Sequence, residues 1–554
     1  MKHSKLLLIV VVGAILRLTW LSSVPAGFTP DEASFGYDAY SLLVTGRDQW
    51  GASFPLVLKS FGDGKMPLYG YITIPFVYVF GLSEFSVRLP NAIFGTLAII
   101  ATYLLCRELY KDKKIAILAS LFLAISPWHI PLSRGAFEAN LTTLLLPLAI
   151  TFLLKGKRQT KYLYLSALFV TLNMFTYHSA RIITPMVVIL AFYFDRKDYF
   201  KSKSKMIMPL LVFLLIFVVT GFTYVLGAGT RLASSSILNS AQVAGDISYA
   251  SAQVGVPHNL ARVFHNKVFY SGSLFVKNYL QYFSPEFLFT EGAAEGTYGM
   301  VPGIGTFFLF EALTLGAFIV AWSRRDIKIN KIILVWMLLA PIPAALSVGP
   351  GRAANRAMGA VPVMQILSAC GAVYLFNVAI KTRIKKAYVY VMFTIVTSVS
   401  LMGFLENYVV LQKYSFSTDM VWGASDVFKY LSPREKLYAQ IVVTKKISEP
   451  HIFAAFYSKM SPLEFQRNTQ SWNFEAQGFA WVDQMRNYRL GKYVFKNIDW
   501  VADLQLPNTL VVAAPQEVPD GTNAIKTIYY PNGKIAYLII DTNVSGYAYV
   551  YENK

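Results

Sequence analysis

Cysteine is almost absent from this chain: two residues in 554, Cys106 and Cys370. Both fall in or at the ends of apolar stretches, so neither the polar loops nor the tail can close an internal disulfide. That leaves the compartment open, since many exported domains have none. Charge is scarce as well. Charged residues make up 15% of the chain, and acids are the rarer sign, 31 against 51 lysines and arginines. A soluble protein of this length carries more charge. No Walker loop and no dinucleotide fingerprint occurs, which counts against an ATP-driven pump. Tight metal spacings such as HExxH or CxxC are missing too. Of the six histidines, His258 and His265 stand seven apart in a polar loop. They read as ordinary loop histidines, with metal ligation, alone or with Glu32, as the sharper alternative. Internal repeats and low-complexity segments are lacking.

What is present is apolar sequence, 55% of all residues, with a mean hydropathy of +0.44. Most of the first four hundred residues is a series of stretches of about 17–25 apolar residues, the length that crosses a hydrocarbon core. About eleven are expected, near 6–24, 85–106, 115–132, 137–154, 161–177, 180–194, 206–226, 303–322, 331–347, 357–380 and 386–405. The first is expected to be a retained signal-anchor helix. The net charge of +20 does not point to nucleic acid, because the cations cluster between the apolar runs. Lys2 and Lys5, Arg107–Lys114, Lys155–Lys161, Asp195–Lys205, Ser323–Lys331 and Lys381–Lys386 all become cytoplasmic under the positive-inside rule. The alternate connections then face outward. One register satisfies every loop, with the amino terminus inside and the carboxyl terminus outside a cell membrane.

Two external loops are long, 25–84 and 227–302. In the first, Thr29-Pro30-Asp31-Glu32 fits a capping box that starts a helix reaching about Val44. Lys65–Leu82 is apolar but broken by Pro67 and Pro75. Counting it as a span would invert every later basic loop, so it is expected to lie at the interface or re-enter. Composition divides the chain into a membrane domain, 1–405, and an external α/β domain, 406–554. In the latter, Pro531-Asn532-Gly533 is expected to turn a hairpin between strand-like runs.

Several residues stand out at the outer surface. Asp31 and Glu32 both suit a helix first turn electrostatically. Glu32 fills the capping position and Asp31 is left freer to act as a general base or cation-orienting group. Lys65 is either a snorkelling lysine or a point charge for a lipid phosphate. Arg134 and Glu138 are expected on one helix face as a local ion pair, with Glu138 also a candidate polar site within the membrane. Tyr177, His178, Arg181, Arg352 and Arg356 are either interface anchors or groups that meet an anionic phosphate.

The order of these pieces carries a resemblance. A first span is followed by an external Asp31-Glu32, then K-M-P-L-Y from Lys65, then S-E-F-S-V-R-L-P-N-A from Ser83, then S-R-G-A-F-E from Ser133. This resembles the lipid-carrier-dependent glycosyltransferases of the GT-C fold, glycosyltransferase family 39. That group includes protein O-mannosyltransferases and bacterial aminoarabinose transferases acting on lipid A. The match is good over roughly 1–225 and looser through Ser284–Gly292, Val301–Gly305 and Gly351–Gly371. It implies a multipass α-helical membrane enzyme that takes a sugar from a polyprenyl-phosphate donor to an acceptor hydroxyl on a lipid, glycan or protein, with inversion. Asp31 matches the catalytic acid, with Glu32 beside it. Lys65 matches a phosphate-binding lysine, and Arg134 an arginine near the phosphate or the acid. Arg352 and Arg356 join Lys65 and Arg134 as donor-phosphate candidates. Glu138, Tyr177, His178, Arg181 and His265 are substrate-binding candidates. No cofactor is required, and a divalent metal stays open. Met66-Pro67 replaces a Pro-Pro pair, and Gly64 stands where some relatives carry an acid. No β-trefoil insert is visible, which favours a bacterial source. A flippase for lipid-linked anions and an oligosaccharide ligase of related fold are the alternatives; the first lacks its expected inverted repeat and mid-span charges.

Overall fold

The computed structural model describes residues 4–199, 203–228, 236–238, 241–253, 260, 266–301, 303–349, 351–382 and 385–544. His258 and His265 lie outside the described residues, so the reading placed on them has no structural counterpart here. The chain forms two compact units. One comprises residues 1–19 and 91–408, the other 20–90 and 409–554. Composition groups the first loop with the membrane part; packing groups it with the tail.

The first unit is helical. Each of the eleven expected spans coincides with a helix, beginning with α1, Ser4–Leu18. Among the described residues, four helices are both long and apolar enough to cross a membrane: Glu84–Leu109, Glu138–Gly156, Met358–Lys381 and Lys386–Ser415. The others are shorter. Buried polar side chains tie the helix ends together. Arg17, fully buried, donates to the carbonyls of Leu123 and Ala124 at 3.1 and 2.9 Å, and to His129 Nδ1 at 2.7 Å. Arginine only donates, so Nδ1 accepts and His129 Nε2–H faces Thr143 Oγ1 at 2.9 Å. Asn91 Nδ2 reaches the carbonyls of Leu132, Gly135 and Phe137 at 2.9, 2.6 and 3.2 Å. The P-N-A and S-R-G-A-F motifs thus interlock through one amide.

The second unit contains α2, Pro30–Thr45, which starts and stops as its sequence dictates. Thr29 Oγ1 accepts the Glu32 N–H at 3.3 Å, and Glu32 Oε2 accepts the Thr29 N–H at 3.0 Å. Pro30 supplies a preset first turn, and Gly46, at φ 69°, closes the other end left-handed. A two-residue hairpin follows, β1 (Leu58–Lys59) against β2 (Gly64–Lys65), then α3, Leu68–Phe80, and the start of α4, Glu84–Leu109.

The tail adds a six-stranded sheet. Its strands are β3 (Gln440–Thr444), β4 (Asn487–Leu490), β5 (Tyr493–Lys496), β6 (Thr509–Ala513), β7 (Lys526–Tyr529) and β8 (Ile535–Asp541), in the order β4-β5-β3-β6-β8-β7. The central β5-β3-β6 is parallel and both flanks are antiparallel. Almost all of β3 and β6 is buried and β-branched, as strands covered on both faces require. The expected hairpin joins β7 to β8 across Pro531-Asn532-Gly533. Loop and tail are stitched by main-chain bonds, Phe28 N to Met420 O at 3.1 Å and Val482 N to Phe61 O at 2.9 Å. Tyr37 Oη also donates to Met460 O at 2.9 Å.

Candidate active site

The second unit holds two ion pairs at the start of α2. Glu32 and Arg88 are both fully buried, and Nε meets Oε1 at 2.8 Å. The remaining guanidinium N–H groups reach Glu32 Oε2 at 3.1 Å and the carbonyls of Leu21, Pro25 and Gly27 at 3.2, 3.1 and 2.6 Å. Five donors find five acceptors, which is what makes a buried guanidinium tolerable. Arg88 thus pins the segment before α2 to the first turns of α4.

Asp31 and Lys65 form the other pair, Nζ to Oδ1 at 2.7 Å, with the lysine side chain 1% exposed and the aspartate 45%. The ammonium lies over the Phe35 ring at 4.7 Å and the Phe61 ring at 5.1 Å. Turn residues 60–63 place Phe61 there. The Asp38 carboxyl, buried and beside Asp48, is pushed well above the usual carboxylate range by its burial, with Lys65 opposing. It accepts the Gln49 N–H at 3.0 Å. Lys65 is therefore a cation enclosed by rings and acids, with the partly exposed Asp31 as its contact.

The remaining candidates belong to the first unit. Arg134 donates to the carbonyls of Leu16 and Thr19, at 2.6 Å each, so it caps the end of α1. It also faces the Tyr408 ring at 5.8 Å. The expected helix face shared with Glu138 does not form. Residues 133–137 are turn and irregular chain, and Glu138 opens a 3-10 turn ahead of the helix Thr142–Gly156. The extended backbone at Phe137, φ -99° and ψ 96°, interrupts the helix there. Tyr177 is the N-cap of the helix His178–Phe194, which carries His178 at its first position. Arg181, one turn on, is engaged by Thr220 O and Thr223 Oγ1 and lies over the Tyr224 ring at 4.1 Å. Arg352, at φ 43°, pairs with Glu291. Arg356 donates to Val348 O at 2.6 Å and faces Glu295 at 3.7 Å. The structure therefore gives both loop arginines a carboxylate.

Sequence reasoning missed three residues that stand with Asp31 and Lys65 in the second unit. Glu449, buried, is pushed upward in pKa, first by burial, then by Asp483 and Asp31. His451 and Asp483 lie beside it. They are up to 34 positions apart, and no short motif spans them; Glu449-Pro450-His451 alone is too common a string to signal anything.

The family model described as dolichyl-phosphate-mannose-protein mannosyltransferase matches residues 64–222. Two solved structures of ArnT from Cupriavidus metallidurans are similar over nearly the whole chain. The one bound to undecaprenyl phosphate has a TM-score of 0.53 at 12% identity, covering 99% of both chains. The apo structure has a TM-score of 0.52 at 12% identity, covering 97% of both. No curated protein matches by sequence. The chain has the GT-C fold, and the resemblance drawn from its motifs holds at that level.

Proposed function

We propose that this chain is an integral membrane glycosyltransferase that moves a sugar from a polyprenyl-phosphate carrier to an acceptor hydroxyl outside the cell membrane. The observation that carries the reading is Asp31: a half-exposed carboxylate in a helix first turn, held at 2.7 Å by a buried lysine. The order of motifs, the GT-C fold and the undecaprenyl phosphate held by a structure of that fold support the carrier.

In this reading Asp31 takes the acceptor proton as the acceptor oxygen attacks the anomeric carbon. The bond from that carbon to the phosphate oxygen breaks on the opposite face, so the sugar inverts and the polyprenyl phosphate leaves as an anion. Lys65 orients Asp31, because its ammonium already meets that carboxylate and is closed to solvent. Arg352 and Arg356 are assigned to the phosphate on charge alone; a developing anion is stabilised by such fixed donors. Eleven spans with the tail outside complete the reading.

The test is transfer by purified protein with a synthetic polyprenyl-phosphate sugar. Asp31→Asn is expected to lose about 10²–10⁴-fold in rate with its elution profile intact. Full activity in that variant removes Asp31 as the base. A reporter fused after Lys554 is expected to read external; a cytoplasmic signal overturns the topology.

A further inference from the structure

The tail carries a cluster that the transfer reaction does not use. Glu449 is the N-cap of the helix Pro450–Ser458, His451 lies in its first turn, and Asp483 comes from the 3-10 turn Val482–Gln484. One potential ligand atom from each lies within 4.8 Å of the other two. Two of the three are already positioned by neighbours. Asp483 Oδ2 accepts the Glu449 N–H at 2.8 Å, and its Oδ1 accepts the Tyr488 hydroxyl at 2.7 Å. The same hydroxyl is 3.1 Å from His451 Nδ1.

Glu449 Oε2 is different. The residue is 8% exposed, and this oxygen has no hydrogen-bond partner. Its neighbour His451 Nδ1 stands 3.7 Å away. That imidazole is packed among the rings of Phe61, Trp472, Tyr488 and Phe495. Its 3.7 Å separation from Glu449 Oε2 is too long for a hydrogen bond, and an unmade bond at a buried polar group is costly. The backbone at Glu449 is itself left-handed, φ 49° and ψ 54°, an unfavourable state for a side chain that the surrounding fold must impose.

We propose that Glu449, His451 and Asp483 bind one divalent transition-metal ion of the zinc or manganese type. One imidazole and two carboxylates form an N,O,O donor set. It lacks the thiolates of closed structural zinc sites and the all-oxygen shell of calcium or magnesium. The ion supplies the missing partner of Glu449 Oε2 and relieves the repulsion between the two acids. Tyr488 orients Asp483, as groups behind a ligand do. Lys65 and Lys445 also face Glu449, and Asp31 acts on it electrostatically. A bound ion would therefore add positive charge beside the Asp31–Lys65 pair.

The assignment is independent of the transfer reaction and is tested without substrate. Full-length protein in detergent is stripped with chelator, dialysed against micromolar zinc or manganese chloride alone, and its metal counted by mass spectrometry. Wild type is expected to hold roughly one equivalent. Glu449→Gln and Asp483→Asn are expected to fall to background with wild-type circular dichroism, while Asp520→Asn, an exposed acid elsewhere in the tail, stays at wild-type level. Background metal in wild type with both ions overturns the site, as does wild-type stoichiometry in Glu449→Gln. Should the variants fail to fold, manganese-loaded wild type is examined by pulsed electron paramagnetic resonance. Coupling to a histidine nitrogen supports the site, and its absence overturns it.

Discussion

Asp31 and Glu32 are neighbours in the chain and occupy opposite surroundings. Glu32 shares a sealed space with Arg88, both side chains at 0% exposure, and every guanidinium N–H is used. Asp31 meets an equally buried cation but is itself 45% exposed. Successive side chains on a helix diverge by about 100°, so one step along α2 separates a sealed pair from a pair whose carboxylate is partly exposed. The difference lies in which partner water can reach, since both pairs are short.

The largest expected effect separates the two by activity. Asp31→Asn should cost about 10²–10⁴-fold in transfer rate without loss of fold; an equal loss of stability in that variant would erase the contrast. Next comes Arg88→Ala, which strands Glu32 in a dry site. Unfolding followed by denaturant titration should show a loss of about 3–5 kcal/mol. Replacing both partners at once, Arg88→Met with Glu32→Leu, should recover much of that stability, and failure to recover would mean that the carbonyls of Leu21, Pro25 and Gly27 depend on the guanidinium. Thr29→Ala sharpens the comparison by removing the cap that both acids share, at about 1 kcal/mol. The smallest effect is set by the exposed pair Lys59–Glu475, 2.9 Å apart. Glu475→Gln should cost under about 1 kcal/mol, and less at high salt.

The cap was readable because its parts are three residues apart and both of its hydrogen bonds are local. The hairpin at Pro531-Asn532-Gly533 was readable for the same reason. The apolar stretches foretold helices at every place, though among the described residues only four reach the length and apolarity of a span on their own. What the sequence concealed depends on distant chain. Lys65 looks like a surface lysine until Phe35 and Phe61 close over it. Arg134 and Glu138 have helical spacing, but the extended backbone at Phe137 interrupts the helix between them. Arg352 and Arg356 find Glu291 and Glu295 some sixty residues upstream. Glu449, His451 and Asp483 assemble only through the fold of the tail. The change of composition near residue 405 reports hydropathy; it carries no information on which segments pack together.

Two glycines leave no room between the first loop and the tail. A Cβ on Gly62 would stand 1.9 Å from Ala480 O, and one on Gly27, at φ 92°, would stand 2.3 Å from Met420 O. Backbone lies against backbone at both places, so neither surface can be recontoured by trading side chains. Anyone grafting a tail from a related enzyme to alter what it accepts would have to move residues 20–90 and 409–554 as a single cassette. A swap cut only at the composition boundary would mate two backbones that were never shaped for each other.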